Sequence, residues 1–161
     1  MPDYIREAFI YSFTVGLNQP DKRLIEKQWL DILLRLRGDI CSCSCGAQSF
    51  VNTFEKDDDG KLVCLCGTHF AAPLQITDGK TRVLLSEGSV LFNDMLSPIG
   101  EVVRNKLNPS LWGLKNRSYS TWNCILPNGQ EKEIAPEGAA PIFVGTKIDI
   151  GGISYVIEES E

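Results

Sequence analysis

The 161-residue sequence contains one histidine, His69, and lacks long apolar runs. A histidine that acts as a general base needs a nucleophile and an orienting partner, and the sequence around His69 supplies neither. No apolar stretch approaches the roughly 20 residues that cross a bilayer. Acidic residues near the N-terminus do not fit a signal peptide, so we expect a cytoplasmic protein with no membrane-bound part.

The motifs of common enzyme classes are also missing. The sequence has no glycine-rich phosphate loop, no Gly-x-Ser-x-Gly turn and no His-Glu-x-x-His helix. We therefore predict that the chain is not an enzyme. Its net charge of −5 argues against a general nucleic-acid binder, because such proteins usually carry a basic surplus.

The sequence contains six cysteines, and four of them form a repeated motif. Two matched x-Cys-x-Cys-Gly knuckles occupy residues 42–46 and 63–67, and 18 residues lie between Cys45 and Cys64. Four thiolates presented by two tight turns are a typical ligand set for tetrahedral zinc. In a reducing cytoplasm, clustered cysteines are more often metal ligands than disulfides. The pattern predicts a structural Zn²⁺ site held by Cys43, Cys45, Cys64 and Cys66.

Two other ligand sets remain open at this point. Cys41 can replace Cys43, and His69 can enter as the fourth ligand. A thiol redox site at Cys43 and Cys45 is a further alternative. The last cysteine, Cys124, lies in an alternating strand pattern and is predicted to be a buried structural thiol.

The chain is predicted to be an α+β multi-module protein with three parts. Residues 1–38 form a helical hairpin, in which a first helix carries an apolar stripe and a second helix runs from Asp21 to Arg37. Residues 39–74 form a zinc ribbon, in which short strands at 50–54 and 61–63 flank an acidic turn.

Residues 75–161 are predicted to form an all-β sandwich, because short strand patterns alternate with turn signals. The expected strands are 81–85, 89–92, 111–115, 121–126, 130–134, 141–144, 147–150 and 153–157. Residues 96–105 are predicted to be a loop or a short helix. Four basic residues of this part are candidates for a phosphate-binding patch: Arg104, Lys106, Lys115 and Arg117.

The N-terminal part resembles the end of a protein kinase catalytic domain. Residues 17–23 are similar to the loop before the last kinase helix, and Arg23 matches the arginine of that motif. The knuckles and a Leu-Trp-Gly-Leu-Lys-Asn-Arg-Ser stretch at 111–118 follow in the same order as in the C-terminal region of bacterial eukaryotic-like Ser/Thr kinases. The resemblance implies that the apolar helix faces have lost their usual partner. They are then expected to pack on the zinc module or to pair between chains.

The β module is similar to a forkhead-associated domain. Asn116, Arg117 and Ser118 stand where that family has its Asn-Gly-Thr-like loop, and residues 145–151 resemble its closing segment. The resemblance implies a non-catalytic, zinc-binding regulatory region that recruits a protein or phosphoprotein. A cognate phosphatase or a von Willebrand A-type protein is the implied partner. The alternative from another class is a free-standing zinc-ribbon adaptor that binds nucleic acid.

Overall fold

A computed structural model describes residues 1–160 of the chain. The fold is mixed α+β, with helices at the N-terminus followed by antiparallel strands. The chain divides into two compact units, of which the first is Met1–Ala71 and the second starts at Ala72. The finer division of the first unit into a helical part and a ribbon part stays a prediction.

The N-terminal unit begins with helices. Helix α1 spans Asp3–Phe13, a short α2 spans Val15–Asn18, and α3 spans Glu26–Gly38. The expectation that the last helix begins near Asp21 is wrong, because Pro20–Lys22 forms a separate 3₁₀ turn. Ile25 then takes an extended conformation, and its N–H donates to the Gln28 side chain at 2.9 Å. This bond caps the N-terminus of α3.

Helices α1 and α3 contact each other through aromatic side chains. The Phe9 and Trp29 rings lie 5.3 Å apart between centroids, and the Arg35 guanidinium lies 4.0 Å from the centroid of the Tyr4 ring. The Tyr4 hydroxyl also donates to Asp39 at 2.9 Å, just beyond the end of α3. These contacts fix how α3 leads into the cysteine-containing segment.

Two small sheets follow the helices. Strand β1 (Ile40–Ser42) pairs with β2 (Gln48–Phe50), and the second sheet consists of β3 (Glu55–Lys56), β4 (Leu62–Val63) and β5 (His69–Phe70). The predicted hairpin around the acidic turn is confirmed, since Glu55 pairs with Val63 and Lys56 with Leu62.

The expected strand at 50–54 is wrong in part. Val51–Thr53 forms a 3₁₀ turn between β2 and β3. The Thr53 hydroxyl donates to the Phe50 carbonyl at 2.7 Å, which gives the backbone an alternative to strand pairing. Val51 is buried at this turn, so a hydrophobic side chain that suggests a strand serves instead to anchor a bend.

The C-terminal unit consists of ten strands in two antiparallel sheets. One sheet has the order β13-β10-β9-β8 and the other β12-β11-β14-β15-β6-β7. The strands are β6 Gln75–Thr77, β7 Arg82–Leu84, β8 Val90–Phe92, β9 Pro98–Arg104, β10 Trp112–Asn116, β11 Trp122–Ile125, β12 Glu131–Ile134, β13 Ala139–Pro141, β14 Lys147–Ile150 and β15 Ile153–Glu158.

The prediction of a loop or helix at 96–105 is wrong, because this segment contains β9, the longest strand of the chain. Strand β9 pairs with both β8 and β10, so its structure comes from neighbours distant in sequence. A Cβ on Gly100 would lie 3.2 Å from Leu114 Cδ1 and 3.3 Å from Trp122 Cη2. The glycine that weakens the strand pattern in the sequence therefore occupies a position with little room for a side chain.

Two further differences concern strand positions. Strand β6 was not among the expected strands, and the strand expected at 141–144 lies at Ala139–Pro141 instead. Both sheets contribute to one hydrophobic core, whose fully buried members include Leu114 from one sheet and Trp122, Ile148 and Ile157 from the other. The alternating in-and-out pattern of these strands produces that core.

Candidate metal centre

The first knuckle is a tight turn closed by backbone hydrogen bonds. The Gly46 N–H donates to the Cys43 carbonyl at 2.9 Å, and the Cys43 N–H donates to the Ala47 carbonyl at 2.9 Å. Gly46 has a φ of +88°, a left-handed conformation that glycine adopts without steric cost. The glycine after the second cysteine therefore allows both thiols to point to the same side of the turn.

The second knuckle repeats this geometry. The Gly67 N–H donates to the Cys64 carbonyl at 2.8 Å, the Cys64 N–H donates to the Thr68 carbonyl at 2.9 Å, and Gly67 has a φ of +84°. The repeat seen in the sequence is thus a repeat of backbone conformation.

The two knuckles bring four sulfurs into one cluster. The Sγ atoms of Cys43, Cys45, Cys64 and Cys66 all lie within 4.8 Å of one another. Two of the separations cross between the knuckles, and both the Cys43–Cys66 and the Cys45–Cys64 sulfurs are 3.8 Å apart. Sulfurs held about 2.3 Å from a central ion in a tetrahedron have edges of about 3.8 Å. The four cysteines predicted as ligands can therefore hold a metal ion.

The sulfurs are not joined by disulfide bonds. All six cysteines are free thiols, and a separation of 3.8 Å is far longer than the roughly 2.05 Å of an S–S bond. Cys43 and Cys64 are buried whereas Cys45 and Cys66 are exposed, so the cluster lies at the surface of the N-terminal unit.

The electrostatics of the cluster favour a bound cation. A hydrogen bond from the Cys45 backbone N–H is the main reason why the pKa of the Cys43 thiol is lowered. Contacts with the Thr68 side chain and backbone lower the pKa of Cys66 to about 6. Backbone hydrogen bonds act in the same direction at Cys45 and Cys64, but burial and the neighbouring thiols outweigh them there. The pKa of Cys45 is therefore raised, and that of Cys64 is raised to about 12. Four thiolates this close repel each other, and a divalent cation removes that repulsion.

Cys41 lies outside the four-sulfur cluster. It is buried in β1, where burial, followed by the neighbouring Cys43, raises the pKa of its thiol to about 11. His69 is also outside the cluster, because its Nδ1 lies 2.6 Å from an Asp57 carboxyl oxygen. That contact and the Lys61 backbone N–H lower the pKa of Asp57. Neither alternative ligand is among the residues that converge.

Thr68 also contributes to the geometry of the cysteine cluster, although the sequence pattern does not suggest it. Its hydroxyl lies 3.1 Å from Cys66 Sγ, and its carbonyl closes the second knuckle. The residue after the knuckle glycine is alanine in the first copy and threonine in the second, so only a comparison of the two copies draws attention to it. Such outer contacts orient metal ligands and tune their basicity.

The predicted recognition loop of the C-terminal unit, at residues 116–118, is built around a buried asparagine. Asn116 is fully buried, and its amide donates to the carbonyls of Ser120 and Ile134 at 2.8 and 3.0 Å. Its Oδ1 accepts from the Ser118 backbone N–H and hydroxyl at 2.9 and 2.7 Å. This side chain therefore holds the loop in shape.

Three residues of the expected phosphate patch are paired with carboxylates. Lys115 lies 2.6 Å from Glu137, Arg117 contacts Glu101 and Glu137, and Arg104 lies 2.9 Å from Glu87. These pairs leave little positive charge at this position for a phosphate. Cys124 is buried in the core as predicted, and burial raises the pKa of its thiol.

The comparisons with known proteins give no family assignment. No protein-family model, curated protein or solved structure matches this chain. Within residues 1–160, none of the helices combines the length and the apolar character needed to cross a membrane.

Proposed function

We propose that this chain is a non-catalytic protein-interaction region whose ribbon is stabilised by one structural zinc ion. The observation that carries the proposal is the four-sulfur cluster, with 3.8 Å separations that fit a tetrahedral metal. Four thiolates leave no open position for a water or a substrate, so the metal stabilises the fold and does not take part in chemistry.

The proposed role of zinc follows from the size of the ribbon. Its second sheet has strands of two residues each, and its buried apolar side chains outside the cysteines are Val51 and Leu62. Sheets this short are not stable without additional support. Metal binding supplies the folding free energy that a small core lacks.

The C-terminal unit is proposed to be a forkhead-associated-like sandwich that recognises protein. Its two antiparallel sheets around one core and the ordered loop at Asn116 support this assignment. Because Arg117 is already paired with Glu101 and Glu137, we propose that recognition does not require phosphothreonine. The same pairing and the net charge of −5 do not favour the nucleic-acid-binding alternative.

We further propose that the region belongs to the regulatory part of a bacterial Ser/Thr protein kinase. The support is the sequence resemblance at residues 17–23, where the Arg23 Nε donates to the Gly16 carbonyl at 2.8 Å and stabilises the loop between the helices. The proposed partner is a cognate phosphatase or a von Willebrand A-type protein.

The interaction proposal is tested by biolayer interferometry with the zinc-loaded chain immobilised. The analytes are the cognate phosphatase and the von Willebrand A-type protein, each before and after phosphorylation. We expect saturable binding of at least one of them, with the same affinity in both phosphorylation states. Absence of binding by either protein refutes the assignment of partner, and binding only after phosphorylation refutes phosphate-independent recognition.

A further inference from the structure

The helical part of the N-terminal unit carries a continuous apolar strip. We define the strip as Phe9 and Phe13 on α1 together with Ile25, Trp29 and Leu33, which recur every four residues along α3 and its N-cap. The Phe9 ring stacks on Phe13 at 6.4 Å and contacts Trp29 at 5.3 Å, so the α1 and α3 parts of the strip meet. Residues four apart lie on the same side of a helix, which makes the strip one surface.

The strip is more exposed than a folded helix pair requires. Phe13 is 71% exposed, Ile25 62%, Leu33 50% and Phe9 44%. By contrast, the only buried residue of α3 is Gly38, and α1 buries only Ile5 and Ala8. Most of the apolar residues of this helix pair therefore remain without a full partner.

The area of the strip fits a homodimer interface. With about 200 Å² for each aromatic side chain and somewhat less for each aliphatic one, the exposed part amounts to about 450 Å² per copy. Two copies contribute about 900 Å². Since homodimer interfaces are about 65% apolar, this corresponds to a total of about 1,400 Å², within the range of stable specific interfaces.

The charges around the strip favour a second copy over a strongly charged partner. Residues 1–38 contain basic and acidic side chains in nearly equal number, namely Arg6, Lys22, Arg23, Lys27, Arg35 and Arg37 against Asp3, Glu7, Asp21, Glu26 and Asp31. The whole chain has a net charge of −5, so the acidic surplus lies outside this segment. The segment therefore has a net charge of +1, and repulsion between two copies at this surface is small.

We propose that the strip is the interface of a homodimer. In a two-fold arrangement each copy presents the same strip, and the two pairs of helices form a four-helix packing around the aromatic side chains. The proposal is independent of the zinc site, because none of the strip residues belongs to the four-sulfur cluster.

The test is sedimentation equilibrium of the zinc-loaded full chain over a range from low micromolar to several hundred micromolar. We expect a monomer–dimer equilibrium for the wild type. Phe13→Glu places a charge on the most exposed ring of the strip and is expected to weaken dimerisation at least about 30-fold. The matched control is Leu107→Glu, because Leu107 is equally apolar and 97% exposed but lies in the C-terminal unit.

Each outcome decides the proposal. A dimer that Phe13→Glu dissociates and Leu107→Glu preserves supports it, provided that both variants retain the zinc content and the circular dichroism spectrum of the wild type. A wild type that is monomeric at all concentrations overturns it. A dimer that Phe13→Glu leaves intact, or that both variants dissociate equally, also overturns it. If Phe13→Glu does not fold, Ile25→Glu at the N-cap of α3 replaces it with the same expectation.

Discussion

Removal of zinc is expected to unfold the ribbon and leave the C-terminal unit folded. The ribbon buries few apolar side chains, Val51 and Leu62 among them, and its second sheet has strands of only two residues. Structural zinc contributes about 10–16 kcal/mol in small metal-dependent domains. This matches or exceeds the about 5–15 kcal/mol of total stability that a typical domain has. The C-terminal unit has its own core and contributes no cysteine to the cluster.

Hydrogen–deuterium exchange measured by mass spectrometry separates the two units in one experiment. With chelator present, amides of residues 40–70 are expected to exchange as in an unfolded chain, and those of 75–158 are expected to keep their protection. Cys66→Ser should show the same loss without chelator. Cys41→Ser is the matched control, because Cys41 is in the same segment but outside the cluster, and it should keep both zinc and protection. A ribbon that stays protected in chelator refutes the proposed role of the metal.

Three further predictions concern pH and two individual side chains. Because the pKa of Cys66 lies near 6, below the ordinary 9.0, its contribution to ribbon stability is complete above the ordinary value and disappears as the pH falls through about 6. Because protons also compete with the ion for the thiolates, zinc release followed with a chromogenic chelator should rise on acidification, and a release that does not depend on pH contradicts the thiolate assignment. Gly100→Ala forces a Cβ against Leu114 and Trp122 and should destabilise the C-terminal unit by about 1–3 kcal/mol, which a lowered thermal midpoint would reveal and an unchanged one would disprove. Asn116→Ala leaves the buried carbonyl of Ile134 without this donor and should lower the free energy of unfolding by about 3 kcal/mol in urea titration, whereas a change below about 0.5 kcal/mol would show that the loop does not depend on it.

The cluster could be predicted from the sequence because its geometry is local. Each knuckle depends on a glycine at positive φ directly after the second cysteine, and this requirement is visible as a repeated short motif. The ligand alternatives could not be decided in the same way. Cys41 stays out of the cluster because it is buried in β1, and His69 stays out because it contacts Asp57. The cysteine motif predicts neither of these arrangements.

The errors in the predicted fold have non-local causes. Strand β9 contains Gly100 and begins at Pro98, two residues that weaken a strand pattern, and only pairing with β8 and β10 makes it the longest strand. Helix α3 starts later than predicted because the turn at Pro20 and the hydrogen bond from the Ile25 N–H to the Gln28 side chain compete with a longer helix. In both cases tertiary contacts or a specific hydrogen bond decide between local structures of similar intrinsic stability.

The most direct test of the central claim is X-ray absorption spectroscopy at the zinc edge, combined with elemental analysis, on protein purified without added metal. We expect one zinc per chain, surrounded by four sulfurs at about 2.3 Å and by no nitrogen. Cys66→Ser should lose the metal and Cys41→Ser should keep it. A folded protein without metal, or a first shell that includes the His69 nitrogen, would contradict the assignment of Cys43, Cys45, Cys64 and Cys66 as the metal ligands. Iron in place of zinc, with the same four sulfurs, would contradict the choice of metal.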